Sequence, residues 1–110
     1  MVGCALYMQT TGNKPIEIAY ADLPTSGASV IDCRSEEEFE EAHYSGAINI
    51  PLQHVSVRKD TFPFNEDEAF YVYCNSGNRS ATFVTYLRSI GYVHCQSIAG
   101  GVELWGDQLC

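Results

Sequence analysis

Long apolar runs are missing from this chain of 110 residues. No stretch approaches the roughly 20 apolar residues that a bilayer-spanning helix needs, so a transmembrane segment is not expected. Basic residues are scarce as well: six Lys and Arg stand against fourteen Asp and Glu, which gives a net charge of −8. Binding to nucleic acid or to an anionic membrane requires clustered cations, and the composition therefore disfavours both kinds of partner.

Paired cysteine motifs are also lacking. The five cysteines form no CxxC pattern, their number is odd, and neither they nor the three histidines have the spacing of a metal site. No metal or organic cofactor is implied, and a disulfide framework is not expected, which favours a reducing, cytoplasmic location. The first residues lack the basic region and the long apolar core of a signal peptide, although a signal removed beforehand would leave no trace.

The remaining composition, with 45% apolar residues, is that of one ordinary globular domain. Residues 1–14 are expected to form a lead-in and residues 15–110 the domain. Apolar patterns predict strands at 16–19, 28–32, 47–51, 69–73 and 93–98, and helices at 35–43, 81–90 and 102–105, with a short helix near 22–24. The aromatic-rich segment 69–73 is typical of a central strand. Strands that alternate with helices predict an α/β domain with a mainly parallel central sheet flanked by helices.

The first long helix has a clear start signal. Ser35 followed by Glu38 fits the spacing of a capping box, in which each residue bonds the other's backbone. Acidic residues in the first turn also suit the positive end of the helix dipole. The acidic stretch 36–41 is interpreted as a solvated helix face.

The loop after the strongest predicted strand carries the chemical signal. That strand ends at Cys74, and the polar segment 75–80 leads into a helix. Ligands of parallel sheets bind beyond the carboxyl ends of the strands, and amides at the start of a helix can face inward when such a loop curls. Gly77 permits the curl, and Arg79 together with the amides favours a thiolate at Cys74. We therefore expect a nucleophilic thiolate in an anion-binding cup, with a structural buried cysteine as the alternative.

Four segments, in order, resemble the single-domain rhodaneses of the rhodanese-like sulfurtransferase family. Segment 31–39 resembles the family's D-x-R-x-x-x-E-[FY], and segment 43–51 resembles H-I-x-G-A-x-N-I-P. Segment 74–80, which reads CNSGNRS, resembles the active loop C-x-x-G-x-R-S, and segment 100–105 resembles the closing G-G-x-x-x-W. The resemblance spans residues 16–105 and implies the three-layer rhodanese-like fold.

The resemblance implies that Cys74 accepts a sulfane sulfur from a small donor such as thiosulfate, becomes a persulfide, and passes the sulfur to cyanide or a thiol. It implies substrate-binding roles for the next five residues, which are Asn75, Ser76, Gly77, Asn78 and Arg79. Loop support is expected from Asp32, Arg34 and Ser80. Because an ion pair at a strand end commonly holds a loop, the first two are expected to act structurally rather than in the chemistry.

Four residues near these motifs are given plain interpretations. Cys33 replaces the aliphatic residue usual in the family between the acid and the arginine. We expect a buried substitution there, with a resolving thiol as the alternative. Cys95 and Trp105 are expected in the core, and His43 is not expected to act as a general base, because a preformed thiolate needs none.

Other functions compete with small-molecule sulfur transfer. Dual-specificity phosphatases resemble this fold, but their Cys–Arg loop is one residue longer than the four residues that separate Cys74 from Arg79. A tighter loop suits a sulfur atom better than a phosphoryl group, and an arsenate reductase is a similarly remote alternative. The presence of Cys74 weakens a non-catalytic binding role. A carrier that hands the persulfide to a partner protein, or works with a thioredoxin-like reductant, stays open.

Overall fold

The chain forms a parallel sheet with helices on both faces. The computed structural model describes residues 15–24, 27–55, 62–106 and 109. The strands are β1 (Glu17–Ile18), β2 (Val30–Asp32), β3 (Ile48–Asn49), β4 (Tyr71–Tyr73) and β5 (Gln96–Ile98). The α-helices are α1 (Glu36–Glu41), α2 (Asn78–Ser89) and α3 (Gly101–Trp105), and short 3-10 helices cover Tyr20–Asp22 and Leu52–His54. The predicted lead-in, Cys4 and Cys110 lie outside the described residues.

The strand order places the aromatic-rich strand at the centre. The order is β1–β5–β4–β2–β3, and each neighbouring pair is parallel. The predicted α/β class with a parallel sheet is therefore confirmed. Because all five strands run in one direction, the residues that follow β2 and β4 meet at the same edge of the sheet.

Alternate residues along the strands build two separate cores. Ile31, Val72 and Cys74 face the cluster that α2 covers, which also contains Phe83 and Leu87. Residues one position away face the other cluster, whose members include Val30, Tyr71, Tyr73, Ile98 and Trp105. This two-residue alternation is the ordinary pleat of a strand, and burial on both faces is typical of a parallel sheet.

Most predicted element boundaries differ from the structure by one to three residues. Helix α1 ends at Glu41 rather than at His43, because Ala42 is extended, with φ −169° and ψ 142°. The Ala42 carbonyl accepts a hydrogen bond of 2.6 Å from the Arg34 side chain. Helix α2 begins at Asn78, three residues earlier than predicted, and β5 begins at Gln96 rather than at residue 93. Among the helices of the described ranges, none has the length and apolar character needed to cross a bilayer.

Candidate active site

The candidate residues meet at the carboxyl end of the central strand. Cys74 directly follows β4, and the next three residues form a loop that enters α2 at Asn78. Cys74 has no exposed surface. Within the loop, Gly77 and Ser80 are buried, whereas Ser76 and Asn78 are exposed to solvent.

The loop points backbone amides at the sulfur. The amide of Gly77 donates to the Cys74 Sγ at 3.1 Å, and the amide of Ser80 donates to it at 3.3 Å. The Ser80 hydroxyl lies 3.5 Å from the same sulfur. Gly77 has a φ of +98°, a conformation that favours glycine, so this residue gives the chain its predicted curl. The sulfur is therefore buried, yet it sits among inward-facing donors rather than among hydrocarbon alone.

A second serine, which sequence reasoning missed, supports Ser80. The hydroxyl oxygens of Ser80 and Ser97 are 2.6 Å apart, and both residues are fully buried. The Ser80 hydroxyl also lies 3.2 Å from the Gly77 carbonyl. A serine hydroxyl donates one proton but accepts twice. When Ser97 donates to Ser80, the single proton of Ser80 is not used on Ser97 and can point to the sulfur or to the Gly77 carbonyl.

Helix α3 holds the carbonyl side of the loop. The Val102 amide donates to the Cys74 carbonyl at 2.9 Å, and the Glu103 amide donates to the Asn75 carbonyl at 2.8 Å. These bonds satisfy amides that the first turn of a helix leaves without an intrahelical partner. With these carbonyls directed at α3, the loop backbone is held in the orientation that brings the later amides to the sulfur.

These contacts stabilise a thiolate at Cys74. The largest effect is a hydrogen bond from the Cys33 thiol, and it outweighs the opposing effect of burial. Together with the hydroxyl and amide of Ser80 and the amide of Gly77, it lowers the pKa of Cys74 to about 4. The same hydrogen bond, with burial, raises the pKa of Cys33 far above its ordinary value. At neutral pH, Cys74 therefore carries the charge and Cys33 keeps its proton.

A polar and a charged residue of the loop, Asn75 and Arg79, contact Glu38 of helix α1. Asn75 donates to Glu38 Oε2 at 2.5 Å, and Arg79 Nη1 lies 3.6 Å from Glu38 Oε1. Burial disfavours the Glu38 carboxylate, but hydrogen bonds from Ser35 and Asn75 and the charge of Arg79 prevail and lower its pKa to about 2. Ser35 and Glu38 also form the predicted capping box, which is confirmed. The capping acid thus also binds the loop that follows Cys74, a contact that the sequence pattern did not reveal.

Asp32 and Arg34 form a buried ion pair at the end of β2. The Arg34 Nη2 atom lies 2.9 Å from Asp32 Oδ2, and the Tyr73 hydroxyl donates to the same oxygen at 2.7 Å. The Asn49 amide group then donates to the carbonyls of Asp32 and Arg34, at 3.0 and 3.1 Å. These contacts hold Tyr73, the residue before Cys74. The contacts are consistent with the prediction that Asp32 and Arg34 support the loop, and this role is still a prediction.

The other singled-out residues lie apart from the sulfur. His43 stacks on Phe39 with ring centroids 3.8 Å apart, and its Nδ1 atom is 2.7 Å from the Phe39 carbonyl. Trp105 is buried as predicted, and it stacks on Tyr20 at 4.6 Å. Cys95 is buried before β5, at the opposite edge of the sheet from Cys74.

Known proteins are similar to this chain in sequence and in fold. Thiosulfate sulfurtransferase PspE of Escherichia coli (strain K12) is 38% identical over 73 residues, which are 66% of this chain and 69% of PspE. The adenylyltransferase and sulfurtransferase uba4 of Ogataea parapolymorpha is 35% identical over 80 residues, 73% of this chain, but the chain spans only 20% of that protein. The structure of SSP1007 from Staphylococcus saprophyticus matches with a TM-score of 0.74 at 28% identity, over 84% of this chain and 94% of that one.

The comparison with protein families agrees with the fold. The model of the rhodanese-like domain matches residues 17–108, which include every strand and α-helix described above. The chain therefore belongs to the rhodanese-like domain family.

Proposed function

We propose that this protein is a sulfurtransferase that carries a sulfane sulfur on Cys74 as a persulfide. One set of contacts carries the proposal: the Cys74 sulfur, at the end of the central strand, accepts hydrogen bonds from the amides of Gly77 and Ser80. Such donors favour the thiolate, and the thiolate rather than the thiol is the nucleophile. The names of PspE and uba4, both of which include sulfurtransferase, support the same reaction class.

The reaction has two balanced steps. The Cys74 thiolate attacks the outer sulfur of thiosulfate, an S–S bond forms, and sulfite leaves with the electron pair of the broken bond. Cyanide or a thiolate then attacks the outer sulfur of the persulfide, takes it, and leaves the Cys74 thiolate behind. No general base is needed, because Cys74 is ionised at neutral pH.

The loop residues divide into an inner and an outer group. Gly77 and Ser80 hold the Cys74 sulfur, as their contacts indicate. Ser76 and Asn78 are exposed, and Asn75 and Arg79 are partly exposed, so these four are positioned to meet the donor and the acceptor. Arg79 is the cationic residue of this group, and we assign it to the anionic end of the donor.

Thiosulfate is the first donor to test, with a thiol or cyanide as acceptor. A carrier that passes the persulfide to a partner protein is the second candidate, and one contact favours it. Because Glu38 lies 3.6 Å from Arg79, the charge that would attract a small dianion is already partly neutralised. A cytoplasmic location stays a prediction, consistent with the need to keep Cys74 reduced.

Intact mass spectrometry tests the proposal. The reduced protein is treated with thiosulfate without oxygen, and then with cyanide. We expect a gain of one sulfur atom that cyanide removes as thiocyanate. Cys74→Ala should show neither step, and Cys95→Ala, which removes another fully buried thiol, should behave as the wild type. Full transfer by Cys74→Ala would overturn the assignment.

A further inference from the structure

The side chains of Cys33 and Cys74 come from neighbouring strands in register. In the pairing of β2 with β4, Asp32 is the partner of Tyr73. The ladder continues one step further, since the Cys33 amide donates to the Tyr73 carbonyl at 3.0 Å. The two cysteines are thus the next residues on adjacent parallel strands, on the face of the sheet that α2 covers.

This placement satisfies the main geometric demand of a disulfide. Neighbouring strands lie about 4.8 Å apart, and disulfides join Cα atoms roughly 4.4 to 6.8 Å apart. Neither cysteine forms a disulfide in this structure, and 1% of Cys33 and none of Cys74 is exposed. Because burial shields Cys33 from solvent, its nearest chemical partner is the neighbouring Cys74 sulfur rather than an external thiol.

Resting on the proposed persulfide, we propose that Cys33 is a resolving thiol, which attacks the Cys74 sulfur, releases the outer sulfur as hydrosulfide and closes a Cys33–Cys74 disulfide. The S–S bond of the persulfide breaks as the bond between the two cysteine sulfurs forms. The outer sulfur leaves with the electron pair and takes the Cys33 proton. The sulfane sulfur is reduced to sulfide and the two cysteine sulfurs are oxidised, so no further oxidant is needed. An external dithiol of the thioredoxin type then reduces the disulfide and restores both thiols.

The electrostatics separate the roles of the two cysteines in time. Before Cys74 is loaded with a sulfane sulfur, the hydrogen bond from Cys33 to the Cys74 thiolate and the charge of that thiolate raise the pKa of Cys33. Cys33 therefore stays protonated and does not compete with Cys74 for the donor. Once Cys74 carries a sulfur, its own Sγ atom is no longer ionised and the negative charge lies on the outer sulfur, so the hydrogen bond from Cys33 to Sγ weakens. Loading thus makes Cys33 more acidic, at the stage when its thiolate is the attacking group.

Cys95 provides the matched control. It is as fully buried as Cys74, belongs to the same apolar cluster, and its Sγ lies 3.3 Å from the Tyr92 carbonyl. Cys95 precedes β5, whereas Cys74 follows β4. The two residues therefore lie at opposite ends of the parallel strands, and Cys95 cannot reach Cys74 without unfolding. An effect that the Cys33 and Cys95 variants share comes from the loss of a buried thiol and not from the loss of the attack of Cys33 on the persulfide.

The protein is reduced, freed of reductant, and treated with thiosulfate without oxygen. Aliquots are quenched in acid, alkylated, weighed intact and mapped by peptides, and free sulfide is assayed. In the wild type we expect a transient gain of one sulfur, followed by a net loss of two hydrogens, one sulfide per molecule and a Cys33–Cys74 cross-link. Dithiothreitol should reverse the cross-link, and Cys95→Ala should match the wild type.

Two variants sharpen the outcome. Cys33→Ser keeps a small polar side chain, and Cys33→Val restores an aliphatic one, so at least one is expected to fold. Either folded variant should hold the persulfide and release no sulfide. The loading of Cys74 is expected to be slower, because both variants change the contact from position 33 that favours the thiolate, but cyanide should still release thiocyanate. A wild type that keeps its persulfide, or a cross-link that avoids Cys33, overturns the resolving role but leaves sulfur transfer intact. Absence of the persulfide in every variant, with no sulfide and no thiocyanate, overturns the proposed function itself.

Discussion

Gly101 lies directly against the Cys74 carbonyl: a Cβ atom on this glycine would sit 2.3 Å from that oxygen and 2.5 Å from the Asn75 carbonyl oxygen. Both oxygens belong to backbone that α3 holds by hydrogen bonds. Neither can yield as a flexible side chain would, so any side chain at position 101 must displace the active loop.

We therefore expect Gly101→Ala to lower kcat/KM for sulfur transfer by between about tenfold and a hundredfold, because the displaced loop misplaces the reacting sulfur. Gly46→Ala is the control. Gly46 also has a positive φ, of +84°, but nothing lies within 4 Å of the added Cβ. It should cost about 1 to 2 kcal/mol of folding stability through backbone strain and leave transfer unchanged. Equal losses of activity in the two variants would refute the displacement of the loop.

The ionisation of Cys74 makes loading insensitive to pH near neutrality. With its pKa at about 4, the thiolate is almost fully formed above about pH 6, whereas an ordinary thiol ionises near about pH 8.5. The thiolate absorbance of the wild type minus that of Cys74→Ala should therefore be constant between about pH 6 and 8. It should fall only as the pH drops towards about 4. A difference signal that climbs through pH 8 would mean that the loop does not hold a thiolate.

Ser97 acts as a positioning residue through Ser80. Ser97→Ala removes the hydroxyl 2.6 Å from that of Ser80, so the Ser80 hydroxyl loses the hydrogen bond that it accepts and becomes a weaker donor to the sulfur. We expect the pKa of Cys74 to rise by about half a unit to one unit, as the loss of one hydrogen bond implies. The same absorbance titration measures this shift. Ser80→Ala should raise the pKa of Cys74 further, because it also removes the hydroxyl next to the sulfur. If the pKa of Cys74 is unchanged in Ser97→Ala, then Ser97 does not act on the sulfur through Ser80.

Glu38 should weaken the binding of anionic donors. Glu38→Gln removes the charge that faces Arg79 but keeps an oxygen to accept from Ser35. A partly exposed pair of this kind contributes up to about 1 kcal/mol, so KM for thiosulfate should fall by up to about fivefold while kcat changes little. Glu37→Gln is the control, because it removes the same charge from the preceding residue of the helix, which is exposed. It should change KM for thiosulfate less than Glu38→Gln does. A KM that stays constant in Glu38→Gln would remove Glu38 from donor binding.

Salt should accelerate the reaction with thiosulfate. The net charge of −8 repels a dianion, and dissolved ions screen that repulsion. We expect kcat/KM for thiosulfate to rise with ionic strength, from a high KM at low salt. Sodium chloride between about 0.01 and 0.2 M covers the range in which the Debye length shrinks most. A rate that falls over this range would show that local attraction by Arg79 dominates.

Local sequence spacing was enough to predict the core of the loop. Cys74 receives its amides from residues three and six positions later, and the Ser35–Glu38 capping box spans three residues. Contacts of such short range depend on the conformation of one segment, which glycine, serine and acidic residues specify locally. Helix ends were less predictable, since Ala42 leaves α1 through a bond from Arg34, eight residues away.

By itself, the sequence determined the α/β class, the thiol at a strand end and the glycine that curls the loop behind it. Only the tertiary structure placed Cys33 beside Cys74, Ser97 behind Ser80, Glu38 against Arg79 and Gly101 under the loop. The physical reason is that these pairs join separate strands and helices, so they depend on strand order and register. Register follows from the pairing of whole strands with their neighbours rather than from the spacing of residues within any one motif.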